Sequence, residues 1–325
     1  MIRKRIEYID SLKGVGIILV MMSHMINCSY LTPLYGGFIP LFFVASGLTS
    51  STIDITGNVL RKKAVRLLFP YFFYGTSIVL LYYIFSLDEN VFQNIIGLIY
   101  ARCRILKDSI GEQSISIGLL PREVAPLWFL PAMFMAYISL FLTKKWGGGQ
   151  ITMVLITIIA CISPFVWLWS LDTCYIHGLF ILVGFRCKKV LEKISFTQVM
   201  VLGIFYLLVF YLNKMPNISI SAYGIWGVFS ILFYLILGFI ETAIVLYFCR
   251  FIDRFKISSI LKYFGRKSMR LMCLHMGAYT FIDEYSALPN YFKIVLTLLI
   301  VVTIIYLIDM LISRFENKNI IIKYI

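Results

Sequence analysis

A lysine and a histidine share one face of the first apolar run of the chain. Lys13 and His24 are eleven residues apart, which on an α-helix leaves an angular offset of about 20° and a separation of ~16.5 Å along the axis. One face would therefore carry a cation near its end and a titratable imidazole deep inside. Ionisable groups inside apolar runs are functional candidates by default. The alternative is that His24 only bonds a backbone carbonyl and that Lys13 anchors the helix end.

A second basic cluster, Arg61 to Arg66, precedes the third apolar run. Lys63 and Arg66 in this cluster are three residues apart and therefore share a helix face. Two cations held on one face could clamp phosphate groups. The alternative is that the cluster only anchors the helix end at a membrane surface, as basic residues commonly do.

Four further side chains are candidates to line a cavity, because polar groups inside apolar runs need a partner. They are Ser46, Trp128, Glu241 and His275. The alternatives are tight helix packing at Ser46, an aromatic belt at Trp128, and pairing with basic residues for Glu241 and Asp309. His177 opens a shorter run, and we assign it no role.

The amino-acid composition indicates the class of protein in which these candidate residues lie. The 325 residues are 60% hydrophobic, 16% aromatic and only 14% charged, with a mean hydropathy of +0.88. A soluble domain has about 45–50% apolar and about 25% charged residues. The excess of apolar residues excludes a soluble, disordered, fibrous or nucleic-acid-binding protein. It predicts a polytopic membrane protein.

About ten apolar runs are near the ~20 residues that a spanning helix needs. They fall at roughly 12–29, 34–53, 67–87, 126–142, 150–169, 173–187, 196–213, 225–250, 268–286 and 290–313. Because lipid-exposed backbone must satisfy its own hydrogen bonds, we expect an all-α bundle that fills residues 1–325 as a single domain. No small-residue cleavage site follows the basic start, so we expect the first run to be retained. In the long connection from Asp88 to Ala125, Val91 to Tyr100 is apolar enough to be an interfacial helix.

The charge pattern predicts the orientation of the bundle. The net charge is +14, and most basic residues fall between runs on the side of the N-terminus, which predicts that both termini are cytoplasmic. These clusters touch anionic lipid heads, so membrane lipids are expected partners and nucleic acid is not. The seven cysteines are scattered, which indicates neither a disulfide framework nor a metal site.

Five motifs in order along the chain resemble acyltransferase family 3, the integral-membrane O-acyltransferases of bacterial surface glycans. The family's opening Asp-x-x-Arg/Lys-Gly and the later histidine match Asp10, Lys13 and His24. The other four motifs match Phe42 to Gly47, the pair Lys63 and Arg66, Trp128 to Leu130, and Gly265 to His275. The sequence from Tyr8 to Gly14 is most similar to that of the fucose 4-O-acetylase-like branch. Two positions depart from the family pattern, because lysine stands at 13 and 63 where arginine is more usual. Lysine keeps the positive charge but lacks the bidentate fork of the arginine guanidinium.

The resemblance implies transfer of an acyl group, most often acetyl, from cytoplasmic acyl-CoA to a sugar hydroxyl. The phosphates of CoA would bind at Lys13, Lys63 and Arg66. His24 would act as general base or as a transient nucleophile, with Asp10 orienting Lys13 or holding a charge network. The four cavity candidates would contact the acceptor or line the cavity. Acyl-CoA is then a substrate, so no bound cofactor is expected, and the expected location is the bacterial inner membrane.

A different class, a transporter or flippase for a glycan or small anion, would use the same buried polar groups as a permeation path. Paired inverted repeats with broken helices would favour it, but the sequence has no matching halves, so it ranks second. A structural or sensor membrane protein without chemistry is the third class. The sequence leaves a monomer and a homodimer equally open.

Overall fold

The computed structural model describes residues 6–26, 38–50, 54–85, 90–102, 120–163, 165–213 and 229–315, and none of these lies in a β-strand. We number the helices α1 Glu7–Met25, α2 Phe38–Thr49, α3 Gly57–Ile84, α4 Val91–Tyr100, α5 Phe129–Lys145, α6 Gly149–Ile162, α7 Cys174–Arg186, α8 Phe196–Asn213, α9 Phe229–Ile252, α10 Ser258–Arg266, α11 Ser268–Tyr285 and α12 Asn290–Phe315. Short helical turns occupy Ala125–Trp128, Leu168–Ser170 and Lys188–Leu191. The all-helical prediction is confirmed for the described part of the chain.

Each of the ten predicted runs contains a helix, and five helices in the described residues are long and apolar enough to cross a membrane. These five are Gly57–Ile84, Ala125–Lys145, Leu168–Arg186, Ile231–Ile252 and Asn290–Arg314. The chain is therefore a membrane protein. The predicted helix at Val91–Tyr100 is present with the same bounds. Residues 88–89 and 103–119 of the connection that contains it lie outside the described residues.

Hydropathy located ten of the helices but misjudged several of their ends. The fifth run was predicted to reach residue 169, whereas α6 ends at Ile162. The third run was predicted to begin at residue 67, but α3 begins at Gly57 and runs through the basic cluster. Lys63 and Arg66 therefore lie on an ordered helix, as their spacing predicted. The connection after α9 also holds a helix that the sequence did not reveal, α10, because nine residues with basic and apolar faces make no apolar run.

The most extensive helix contact in the structure joins α1 to α10. It is made by two glycines: a Cβ on Gly14 would overlap the carbonyl oxygen of Leu261, and a Cβ on Gly265 would overlap the carbonyl oxygen of Asp10. Small residues let helix backbones approach closely.

Helices α2 and α7 approach each other in the same way. Gly47 of α2 meets the backbone of Ile181, and Gly184 of α7 meets the backbone of Val44. Helix α2 also packs on α1 and α9, and α5 packs on α3 and α7. The bundle therefore fixes α1, α2, α3 and α5 around one another, and these four helices carry most of the candidate residues.

Ion pairs hold the end of the bundle at which α1 begins. Lys262 of α10 lies 2.7 Å from Glu7 and 2.6 Å from Asp253. Because its ammonium lies against these two carboxylates, the pKa of Lys262 is raised. Asp309 pairs with Lys267 and Arg270, which confirms the expectation that Asp309 pairs with basic residues.

Candidate active site

A cavity of about 140 Å³ opens among α1, α2, α3, α5 and α11. Lys13 lines it from α1, and Lys63 and Arg66 line it from α3. The three basic residues that the sequence singled out therefore meet at one cavity, although they come from two helices. Hydroxyl groups join them, since Ser46, Thr49 and Ser268 are in the same lining. The wall beyond is apolar and includes Phe42, Phe129, Met269 and Met272.

A tyrosine that the sequence analysis did not identify holds one of these cations. Lys63 Nζ donates a hydrogen bond of 2.7 Å to the hydroxyl of Tyr137 and lies 4.2 Å from the centroid of the Tyr137 ring. The same hydroxyl is hydrogen-bonded to Ser46. Tyr137 lies in an apolar helix, and its partners are far away in sequence, so no local pattern marks it.

Asp10 lies at the opposite end of α1 from His24. It is buried, and its Oδ2 is 3.7 Å from Arg266 Nε of α10. Fourteen residues separate Asp10 from His24, about 21 Å along the helix axis. Asp10 therefore pairs with a basic residue of α10 at the end of α1 that carries Lys13, and it does not line the cavity.

His24 stands beside a second histidine near the other end of α1. Its ring centroid is 5.6 Å from that of His275 on α11. His24 is exposed, whereas His275 is fully buried. The structure thus brings together two residues that are 251 positions apart and that the sequence analysis identified separately.

The environment of His275 fixes its tautomer. Its Nδ1 lies 2.8 Å from the carbonyl oxygen of Leu271 and 3.1 Å from that of Met272. Carbonyl oxygens only accept hydrogen bonds, so Nδ1 carries the proton. Nε2 of the neutral ring is then an acceptor, and it has no hydrogen-bond partner in the described structure. The His24–His275 pair therefore presents an unused imidazole lone pair next to an exposed imidazole.

The cavity and the histidine pair lie along the same two helices. Lys13 and His24 are both on α1, and Met272, which lines the cavity, is one turn before His275 on α11. Neither histidine lines the cavity. The arrangement places a cavity lined by cations at one end of α1 and a pair of imidazole rings ~16.5 Å further along it.

The other cavity candidates have different surroundings. Ser46 lines the cavity, but Trp128 and Glu241 do not. Trp128 lies under the guanidinium of Arg102, with 5.6 Å from Cζ to the ring centroid. Glu241 accepts a hydrogen bond of 2.7 Å from the hydroxyl of Tyr206, between α9 and α8.

His177, to which the sequence assigned no role, is fully buried. Its ring stacks on Phe43 at 4.3 Å, and both of its nitrogens lack a hydrogen-bond partner in the described structure. Nearby, Arg102 donates to Ser170 at 2.9 Å and pairs with Asp172 at 3.4 Å. None of these contacts could be read from the sequence, because each joins segments that are distant along the chain.

Comparison with known proteins identifies the family of the chain. A family model described as an acyltransferase domain, Acyl_transf_3, matches residues 6–312. No curated protein gives a significant match to the chain, and no solved structure does. The matched region contains all twelve helices except the last residues of α12. The chain therefore belongs to the Acyl_transf_3 family of acyltransferases.

Proposed function

We propose that this membrane acyltransferase transfers an acetyl group from acetyl-CoA to a sugar hydroxyl. The acceptor is a cell-surface polysaccharide, a capsule or O-antigen unit, or a lipid-linked glycan. The observation that carries the proposal is that Lys13, Lys63 and Arg66 line one cavity. Cations beside hydroxyl donors are a suitable set for the phosphates of a coenzyme.

The side of the membrane on which acyl-CoA occurs determines the orientation that we propose for the bundle. Acyl-CoA is cytoplasmic, so the end of the bundle with the cation cavity faces the cytoplasm. We propose about ten spans with both termini on that side, in the inner membrane of a bacterium, and a place in the fucose 4-O-acetylase-like branch. Acyl-CoA and the saccharide are substrates, lipids surround the bundle, and no resident cofactor is required. A homodimer is compatible with this scheme.

His24 is the general base in this proposal. As the acceptor oxygen attacks the thioester carbon, His24 takes the proton of the acceptor hydroxyl. The tetrahedral intermediate then expels the CoA thiolate, and the protonated ring returns a proton to its sulfur. General-base assistance of this kind contributes about 10²–10⁴ in rate. The exposure of the residue supports the role, because His24 is not enclosed within the bundle as His275 is.

His275 is a positioning residue in the same proposal. Its unpartnered Nε2 can accept a hydrogen bond from the N–H of His24 after a small ring rotation, which leaves the other nitrogen of His24 as the base. We expect His275→Asn to lower kcat by about 10²-fold, the usual cost of misplacing a reacting group by about 1 Å. His275→Gln, which can place a carbonyl oxygen near the position of Nε2, should retain more activity. Equal activity of both variants and the wild type would contradict this role.

The basic residues of the cavity give a separate prediction. We expect Lys13→Ala and Arg66→Ala each to raise the KM for acetyl-CoA about tenfold or more, because a hydrogen bond to a charged group contributes about 1.5–3 kcal/mol. Lys62→Ala is the matched control. Lys62 belongs to the same basic run and is exposed like Arg66, but it does not line the cavity. If membrane anchoring were the only role of the cluster, the Lys62 and Arg66 variants would behave alike.

The test of the proposed function is the chemical structure of the glycan. Surface glycan is isolated from a strain that carries the gene and from a matched deletion strain, and both are compared by NMR. We expect ester-linked acetyl groups on one sugar position in the first strain only. Identical acetylation in both strains would refute the proposal.

A further inference from the structure

Tyr137 is the only residue described in the structure whose side chain is hydrogen-bonded to both Lys63 and Ser46. Tyr137 is itself buried, with 2% of its surface exposed. It lies on α5, whereas Ser46 is on α2 and Lys63 is on α3. One hydroxyl therefore ties three helices together at the wall of the cavity.

The directions of these hydrogen bonds follow from the chemistry of the groups. An ammonium group only donates, so the Tyr137 oxygen accepts from Lys63. The phenolic proton is then available to Ser46, and the hydroxyl of Ser46 can turn toward the cavity that it lines. Two further N–H bonds of the Lys63 ammonium stay available to a ligand. The contact with Tyr137 thus holds Lys63 without using up its capacity to bind an anion.

A lysine at this place needs such a contact to stay in the cavity. Its four-carbon stem carries about 2 kcal/mol of rotamer entropy, and lysines near helix ends tend to extend their ammonium groups toward water. Its neighbours Lys62 and Arg66 are exposed, while Lys63 is half-buried. Both the hydroxyl and the ring face of Tyr137 contact the Lys63 ammonium, so both oppose that extension.

We propose that Tyr137 is a positioning residue for the donor site: its hydroxyl holds the Lys63 ammonium in the cavity, and its effect on CoA binding passes through Lys63. The inference rests on the proposed function, because it takes the phosphates of CoA as the ligand of this cavity. Tyr137 does not touch the reacting atoms, so it acts on donor affinity and leaves the chemical step unchanged.

A double-mutant cycle on CoA binding tests the inference. The full-length protein is purified in lipid nanodiscs, and the Kd for CoA is measured by calorimetry for Tyr137→Phe, Lys63→Met and the double variant. We expect each single variant to weaken CoA binding about tenfold and the double variant to bind no more weakly than Lys63→Met alone. The kcat of Tyr137→Phe at saturating acetyl-CoA should equal that of the wild type.

Tyr71→Phe is the matched control. Tyr71 is fully buried, and its hydroxyl donates a hydrogen bond of 2.7 Å to the carbonyl oxygen of Leu98, away from the cavity. Loss of this hydroxyl should leave the Kd for CoA unchanged. If Tyr137→Phe does not accumulate, it is combined with Ser46→Ala, because the hydroxyl of Ser46 loses its partner when the hydroxyl of Tyr137 is removed. The combined variant is then compared with Ser46→Ala alone.

The outcomes separate this inference from the function on which it rests. Unchanged CoA affinity in Tyr137→Phe, with weakened affinity in Lys63→Met, would overturn the role of Tyr137 and leave the donor site standing. A further loss in the double variant would show that Tyr137 acts independently of Lys63, which also overturns the inference. Unchanged affinity in Lys63→Met would refute the assignment of the cavity to CoA.

Discussion

Replacement of His24 by alanine is expected to remove the ester-linked acetyl groups from the surface glycan while the protein still accumulates in the membrane. The physical reason is that His24 is an exposed imidazole beside the buried His275 and is the proposed proton acceptor. Loss of a general base slows the reaction by about 10²–10⁴. The measurement is the acetyl content of the glycan by NMR in a deletion strain that carries each variant, with protein levels matched.

Two controls separate the chemistry of His24 from a structural role. The Kd for CoA should be unchanged in His24→Ala, because His24 does not line the cavity. Exogenous imidazole should restore part of the activity, since the position is exposed. His24→Gln keeps a hydrogen-bonding group but cannot take a proton at neutral pH, and it should be as inactive as the alanine variant. An active glutamine variant would contradict the assignment of His24 as the base.

Replacement of Gly265 by valine is expected to cause the largest loss of stability among single substitutions at the helix contacts. A Cβ at Gly265 would overlap the carbonyl oxygen of Asp10, and a backbone atom cannot turn away as a flexible side chain can. Forcing atoms into a packed contact costs about 1–3 kcal/mol and sometimes more. We expect the melting temperature of the detergent-solubilised protein to fall by on the order of 5 °C.

The same substitution should also weaken CoA binding, because α1 carries Lys13 and must move away from α10. Gly203→Val is the matched control: Gly203 lies in α8, and a Cβ there meets nothing within 4 Å. We expect this control to melt and bind CoA like the wild type. Equal melting temperatures for the two valine variants would show that the contact between α1 and α10 does not depend on close approach.

The sequence predicted the elements of the fold from local patterns. Runs of apolar residues located the helices, and the amphipathic stretch Val91–Tyr100 was predicted with its bounds. The helical spacing of Lys63 and Arg66 placed both on one face, and they do line one cavity. Each of these features depends on residues within a few turns of one another, and this is the range over which helical periodicity carries information.

The contacts between distant segments could not be predicted in the same way. The hydroxyl of Tyr137 meets Lys63 across 74 positions, and His24 meets His275 across 251 positions. Helix α10, which packs closely on α1, makes no apolar run of its own. Pairings of this kind follow from how the helices pack, and a periodic pattern within one helix does not reveal the neighbour that it will meet.

The transfer of label from acetyl-CoA is the most direct test of the central claim. Membranes that contain the protein are incubated with acetyl-CoA labelled in the acetyl group and with the lipid-linked saccharide of the same strain. We predict alkali-labile label in the saccharide with the wild type and none with His24→Ala. Saccharide that crosses the membrane without gaining label would contradict the account and favour a transporter.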